Sequence, residues 1–390
     1  MVTATLASNL LTTTGATLSR GASDAQHGFY ARPSAHLPSL SPRAGIGTIS
    51  RSSGIVRFVY GGVVKTFRCV TRLTCLSKKE SMKKDFVRPA ALQEGDLVRL
   101  VSPASFPSQS HVNDYISTLE SWGLRCDTGK HALNELGYMA GADVDRLEDL
   151  NEAFRDPQVR AVITTTGGAG AYRIANRIDF DAVRADPKPL VGFSDITSLH
   201  LSLIKHCNLG GIHGCLVGHK ARASVKHLLL SNGPITLERE TGAVSAEIEF
   251  PGHAQGVLIG GNLQMLATSV GAWMPSMHGA ILFLEYHRPK LGTIDRYLTQ
   301  LMHSGALDGI VGVALGSFEC CRDFTDRGWG IADVLNDHFK RLNIPVLGGL
   351  YAGHNLTDND GNHDQSAIPL GTSASLDVST GTLTIESLMR

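Results

Sequence analysis

The residues of this 390-residue chain whose types and settings could do chemistry are one serine, a run of glycines, a glutamate and two histidines. Ser194 lies in PLVGFSDITSLHL, where an apolar strand meets a helix through Gly192-Phe193-Ser194-Asp195. A serine at such a turn stands at the positive end of the helix dipole, at the sheet edge where open α/β folds bind ligands. It could be a nucleophile, and taken alone it could as well be a helix N-cap. The turn keeps the first half of the elbow G-x-S-x-G but has Ile196 at the second glycine, so it is not the α/β-hydrolase signature.

The second feature is ITTTGGAGAYR, a strand running into Gly167-Gly168-Ala169-Gly170. Glycines after a strand let backbone N–H groups face a ligand without obstruction by a Cβ, as an oxyanion hole or a phosphate cradle requires. The stretch lacks the Lys-Ser/Thr ending of a P-loop and contains no G-x-G-x-x-G, which argues against nucleotide use. Glu285 ends the apolar run ILFLE, and an acid at the end of a buried strand is costly unless it is paired or has a task. His354 follows IPVLGGLYAG and precedes a polar loop, and His213 in GGIHGC is a candidate by the same logic. A salt-bridged strand terminus and a loop histidine remain open as plain structural readings of Glu285 and His354.

Short apolar runs alternating with amphipathic stretches begin at Leu92 and predict a parallel sheet with crossover helices. DLVRLVSPAS, LRCDTG, VRAVITTT and PLVGF read as strands, with helices over HVNDYISTLESWG, ADVDRLEDLNEAFRDP and DITSLHLSLIKH. In the second of these helices Leu147, Leu150, Ala153 and Phe154 form one apolar face. After Lys226, GAILFLEYH, GIVGVALGSF and IPVLGGLYAG read as buried strands, with helices GTIDRYLTQLMHSG and IADVLNDHFKRLN between them. The last segment, AIPLGTSASLDVSTGTLTIES, should close as a β-hairpin around Ser379-Thr380-Gly381.

Composition narrows the rest. The chain holds 36 Lys/Arg and 36 Asp/Glu. Residues 1–79 carry ten of the bases and one acid, Asp24, leaving 26 basic against 35 acidic residues in the remainder. That acidic core lacks the basic face a nucleic-acid binder needs. No run of about 18 apolar residues is present to span a membrane. The seven cysteines show no metal-ligand spacing and fit a reduced compartment better than a disulfide framework; the adjacent Cys320 and Cys321 read as packing residues. The first 80 residues hold 20 Ser/Thr and no sustained hydrophobic period, so no packed unit is expected there. This basic, hydroxylated stretch is similar to an organelle transit peptide. The alternative is an upstream stretch outside the working protein, with Met82 as its start.

From about Glu94 to Ser387 the chain resembles the LD-carboxypeptidases, including the relatives that confer immunity to microcin C. The matching blocks are VSPAS, GYMAGADVDRLEDLNEAFRDP, the Gly-Gly loop, PLVGFSDITSLHL, GGNLQML, ILFLE with IDRYLTQL, and IPVLGGLYAGH, in the family's order and at similar spacings. The resemblance implies a nucleophilic Ser194, a glutamate at Glu285 and a histidine at His354, acting as a triad without metal or organic cofactor. Backbone N–H groups of Gly167, Gly168 and Asp195 are the expected oxyanion donors. The expected fold is α/β: a disordered extension or transit peptide over 1–85, a flavodoxin-like parallel-sheet nucleophile domain over 86–245, and a mixed α/β domain over 246–390 that carries Glu285 and His354. The active site should lie between the two domains.

The function so implied is a serine carboxypeptidase that hydrolyses an L,D-amide bond and releases a C-terminal D-amino acid from a muropeptide. A microcin-type peptidyl-nucleotide amidase and a catalytically silent muropeptide-binding module are the alternatives. The expected partner is a small peptide, with no nucleic acid or membrane, in a homodimer whose folded core is cytoplasmic unless residues 1–80 direct it to an organelle. Where many family members read Arg-Gly-Gly-Tyr-Gly, this chain reads Thr166-Gly167-Gly168-Ala169-Gly170, and Tyr286-His287-Arg288 replaces the commoner acidic start after the glutamate. Arg173 and Arg288 are the candidates to supply the missing cation.

Overall fold

The structure, a computed structural model, describes residues 55–60, 63–68, 86–287, 290–318, 327–354, 356–357, 361 and 363–390. The chain divides into two units, Met1–Ser77 and Lys78–Arg390. In the first, strands β1 (Ile55–Tyr60) and β2 (Val63–Arg68) pair antiparallel in a hairpin, where no element was expected. The rest of residues 1–85, with the transit-peptide reading, lies outside the described residues.

In the second unit the strands are β3 (Leu97–Val101), β4 (Arg125–Thr128), β5 (Val159–Thr164), β6 (Leu190–Val191), β7 (Gly211–His213), β8 (Ile235–Glu238), β9 (Glu249–Phe250) and β10 (His253–Asn262). They continue as β11 (Ala280–Glu285), β12 (Gly312–Leu315), β13 (Val346–Leu347), β14 (Ile368–Leu370), β15 (Ser373–Asp377) and β16 (Thr382–Ile385). The helices that matter for the site are α1 (Gln109–Glu120), α2 (Asp143–Arg155), α3 (Thr197–Cys207) and α4 (Leu263–Ser269).

The first sheet runs β4-β3-β5-β6-β7-β14; the strands from β4 to β7 are parallel in the 2-1-3-4-5 order of a flavodoxin-like domain, and β14 lies antiparallel at the edge. Apart from the exposed edge strand β4, its strands are short and mostly apolar because helices cover both faces; in β5 every residue but Arg160 is buried. Local chemistry sets the helix ends. Ser108 Oγ accepts the His111 N–H at 3.2 Å to start α1, and Gly123 takes φ +82° after it. Buried Lys188 donates to the carbonyls of Ala153, Phe154 and Asp156 at 3.2, 2.6 and 2.7 Å, so the open end of α2 is satisfied.

The second sheet runs β8-β16-β15-β10-β11-β12-β13-β9, with β10 to β13 parallel and the flanking strands antiparallel. The expected terminal hairpin forms only in part: β15 and β16 pair as anticipated, but β14 crosses back to pair antiparallel with β7 at the edge of the first sheet. Leu388 and Met389 follow it into the core of the first domain. Conversely β8, on the N-terminal side of the expected boundary at 245, pairs with β16 in the second sheet. Each domain thus borrows a strand from the far side of that boundary.

Between the sheets lies α3, buried at every residue except Lys205 and His206. Leu199, Leu203 and Cys207 pack into the core of the first sheet, and Leu201 and Ile204 into that of the second. A helix enclosed by two cores has little freedom to tilt or slide, because close-packed interiors resist even small displacements. Whatever stands at its N-terminus is held accordingly.

Candidate active site

Ser194 stands there. It opens a short 3-10 turn, Ser194–Ile196, that leads from β6 into α3, and its backbone takes φ +64°. Among the described residues the other non-glycine positions with positive φ are Asn208 and Asn343, a residue type that tolerates this region. For a serine the conformation costs about 1–2 kcal/mol, and such strain persists where surrounding structure enforces it. The cap reading does not hold: the N-cap of the turn is Phe193, and no side-chain capping bond is made.

The glycine loop packs against this turn. A Cβ at Gly167 would fall 2.8 Å from Ser194 Cβ and 3.2 Å from its Oγ, so only glycine allows the approach. Gly168, at φ +93°, is equally crowded by Ser105. Ser105, from the VSPAS segment, clamps the loop on both sides, its N–H donating to Gly167 O at 3.0 Å and its Oγ accepting the Ala169 N–H at 3.1 Å. Asp195 adds a third tie by accepting the Ala171 N–H on Oδ2 at 2.7 Å. Burial pushes its carboxyl up to about 6, against the opposing N–H bonds of Ala171 and Gly170 and the charge of Arg146. The Asp195 N–H belongs to the first turn, where no intrahelical acceptor exists.

The second sheet supplies the acid and the imidazole. Glu285 ends β11, wholly buried, with its partner across the parallel register being Asn262 at the end of β10. His354 Nδ1 meets Glu285 Oε2 at 2.5 Å, and the His354 backbone N–H reaches the same oxygen at 3.2 Å. Asn262 Nδ2 donates to the other oxygen at 3.2 Å. Burial alone would raise the Glu285 carboxyl, but the charge and hydrogen bond of His354, with His213 and Asn262, outweigh it and hold the group well below the usual carboxylate range. Gly353, at φ +112°, is required because a Cβ there would lie 2.7 Å from Glu285 Cβ. Its N–H donates to Gln365 Oε1 at 3.0 Å, which steadies the loop one residue before the imidazole.

The two halves meet through Phe193. Its ring centroid lies 4.6 Å from that of His354, so the residue preceding the serine packs on the imidazole. The His287 ring also lies near that of His354, with centroids 4.8 Å apart, and wholly buried His213 stands near Glu285 with its Nε2 3.9 Å from Oε1. A cavity of about 100 Å³ opens beside Gly167 and Phe193, lined also by His111, Tyr115, Thr166 and His363. A roomier groove of about 690 Å³ lies away from these residues, along Arg239, Glu249 and the β15–β16 turn.

Of the residues singled out in sequence, Ser194, Gly167, Gly168 and Asp195 come together on one side and Glu285, His354 and His213 on the other. Arg173 is half-exposed, and its Nε is engaged by Asp143 at 2.8 and 3.0 Å. Arg288 and the Cys320-Cys321 pair lie outside the described residues. Sequence reasoning did not select Ser105, Asn262 or Gln365. Asn262 alone had a visible signal, since a lone Asn between the strand and helix of GGNLQML is a capping position; its Oδ1 accepts from Gln264 and Met265 N–H at the start of α4. Among the described residues no group of three or more His, Cys, Asp or Glu is arranged to hold a metal, and no helix is long and apolar enough to cross a membrane.

Residues 98–214 match the LD-carboxypeptidase N-terminal domain and residues 255–376 the LD-carboxypeptidase C-terminal domain. A putative carboxypeptidase of Streptomyces coelicolor is 35% identical over 314 residues, covering 78% of this chain and 97% of the relative. A probable murein peptide carboxypeptidase of Bacillus subtilis is 33% identical over 308 residues, covering 77% and 94%. The solved structure of a muramoyltetrapeptide carboxypeptidase from Oxalobacter formigenes superposes with a TM-score of 0.66 at 26% identity, over 75% of this chain and 100% of that one.

Proposed function

The chain belongs to the LD-carboxypeptidase family of serine peptidases, and from that premise we propose that it cleaves an L,D-amide bond to release a C-terminal D-amino acid from a muropeptide, with Ser194, His354 and Glu285 as its triad. The observation that carries this reading is the paired His354 and Glu285, joined at 2.5 Å, brought through Phe193 to a serine held in a strained turn. His354 Nε2 takes the Ser194 proton as Oγ attacks the scissile carbonyl, while Glu285 fixes the tautomer and stabilises the imidazolium. The N–H groups of Asp195 and of the Gly167-Gly168 loop receive the negative charge that develops on the carbonyl oxygen. The proton then passes to the amine of the departing D-amino acid, and a water activated by His354 releases the acyl group from Ser194.

In the same reading the substrate is a small peptide, the enzyme works as a homodimer, and the folded core is cytoplasmic. The test is liquid chromatography of L,D- and L,L-linked tetrapeptides after incubation with the purified chain. Release of the terminal D-residue from the L,D-peptide alone is expected. Cleavage confined to a peptidyl-nucleotide amide would transfer the activity to the microcin-type reading, and absence of any turnover with Ser194 unreactive would leave a binding module.

A further inference from the structure

Among the described residues, His213 is a buried titratable group beside the triad that this mechanism does not use. It ends β7, opposite Ile368 of β14, and is fully buried. Its ring is walled by Phe193 at 5.8 Å and Phe283 at 5.5 Å, both edge-on, so it has little room to swing away. Neither ring nitrogen has a hydrogen-bond partner, although buried polar groups in folded proteins are nearly always satisfied. The ion-pair partner it does face is Glu285 Oε1, 3.9 Å from Nε2. Oε2 of that carboxylate is taken by the ring and backbone N–H of His354, and Oε1 by Asn262, a two-lone-pair oxygen with one donor.

We propose that His213 is a positioning residue for the hydrolytic site, a neutral imidazole that presents its Nε2 proton to the second oxygen of Glu285 while His354 holds the first. The inference rests on the triad reading given above. The charged or titratable groups that act on the ring are Glu285 from β11, His200 from α3 and His354 from the loop after β13; burial outweighs the pull of Glu285, with His200 and His354 acting in the same direction as burial, and keeps the imidazole uncharged. A neutral imidazole carries one proton. With that proton on Nε2 the ring donates toward the carboxylate, whereas on Nδ1 it would aim a lone pair at a negative oxygen. Closing about 1 Å makes the contact a hydrogen bond. When Ser194 yields its proton and His354 becomes an imidazolium, a donor on Oε1 lowers the basicity of Glu285. The proton then stays on His354 for delivery to the leaving amine, and the carboxylate does not rotate.

The test uses the full chain with His213→Phe, which preserves the aromatic packing without a donor, and His213→Gln, which restores an N–H. Two rates are read: labelling of Ser194 by a fluorophosphonate, which needs no peptide substrate, and kcat on the L,D-tetrapeptide. His213→Phe should lower both by about 10- to 100-fold, the scale of a lost hydrogen bond to a charged group, with KM nearly unchanged. His213→Gln should recover most of the loss. In the wild-type chain, the nitrogen-15 shifts of His213 should report the Nε2–H tautomer, a measurement that stands even if His213→Phe does not fold. Wild-type rates in folded His213→Phe, or an Nδ1–H tautomer, would overturn the proposal, as would a wild-type Ser194 inert to the label. Normal labelling without cleavage of the L,D-peptide would instead defeat the substrate reading and leave the role of His213 to the labelling rates.

Discussion

The nucleophile and its partners are held in different ways. Ser194 is placed by its own neighbourhood in sequence: a buried strand, a strained turn and a helix enclosed by two cores, all between Leu190 and Cys207. His354 sits on an irregular loop after a two-residue strand; Gln365 steadies that loop through Gly353, but the group that fixes the ring, Glu285 of β11, lies 69 residues away. The first half of the site is a local construction and the second a long-range one. Substitutions in the first should therefore remove chemistry without moving the scaffold, and those in the second should disturb orientation and acid stability together.

The largest effects test the serine and the imidazole. Ser194→Ala and His354→Ala should each lower kcat about 10,000-fold or more, because triad members act as a unit. Melting temperature should change little for Ser194→Ala, whereas His354→Ala should lower it, because it leaves the buried Glu285 carboxylate without its imidazole partner. If Ser194→Ala kept more than roughly a tenth of the activity in enzyme free of contaminants, the nucleophile assignment would be wrong.

Glu285→Gln comes next, at roughly 1,000- to 10,000-fold in kcat, because the amide can hold the imidazole in the wrong tautomer. This variant also carries a pH signature. The folded-state pKa of Glu285 lies below its unfolded value, so its ionised form adds stability that is fully present above the unfolded pKa and is lost as pH falls through the folded one. The stability gap between wild type and variant, read from urea midpoints, should be widest near neutrality and shrink on acidification below the ordinary carboxylate range. A gap independent of pH would mean that Glu285 is not ionised in the folded protein.

The same contrast governs what could be read in the sequence. Local features were legible: the parallel strands, the turn at Ser194, the Gly-Gly loop and the β15–β16 hairpin each have short-range causes. The return of Ile368–Leu370 to the first sheet was not, because its partner β7 lies more than 150 residues away and an apolar tripeptide carries no record of which sheet edge it will meet. Nor could spacing reveal that Asp195, beside the nucleophile, anchors the glycine loop through Ala171, or that Arg173 would face Asp143 on α2. The hairpin of β1 and β2 had a visible signal, Gly61-Gly62 between β-branched and aromatic runs, but averaging composition over 80 residues concealed it.

A moderate effect is expected at the substrate's free carboxylate, which needs a cation or several N–H donors once buried. Arg173 lies just beyond the glycine loop, in the turn Ala171–Arg173, with Asp143 as its resting partner, and Arg146 also pairs with that aspartate. An incoming carboxylate would have to draw Arg173 from Asp143. Arg173→Met should then lower kcat/KM for a free-acid peptide by roughly 10- to 100-fold, and far less for the C-terminal amide. Equal cleavage of acid and amide by the wild-type enzyme would replace the carboxypeptidase reading with a broader amidase.

The smallest effect concerns the residue that joins the two halves. Asn262 accepts on Oδ1 from Gln264 and Met265 to cap α4, donates through Nδ2 to Glu285, and bonds by its own N–H to Thr197 Oγ1 at 3.1 Å, at the first residue of α3. The acid is thereby referenced to the helix that carries the nucleophile. The capping bonds force the amide oxygen toward α4, which leaves only the NH₂ for Glu285, so the two roles can be separated by substitution. Asn262→Ser keeps a capping oxygen and loses the donor; it should cost about 5- to 10-fold in kcat, the scale of one hydrogen bond, with stability close to wild type. Asn262→Ala loses both and should show a similar kcat with a further loss of about 1 kcal/mol in unfolding free energy. If the serine variant matched wild type in kcat while the alanine variant did not, Asn262 would act on the site only through α4, and the link between the acid and the nucleophile helix would be packing rather than this hydrogen bond.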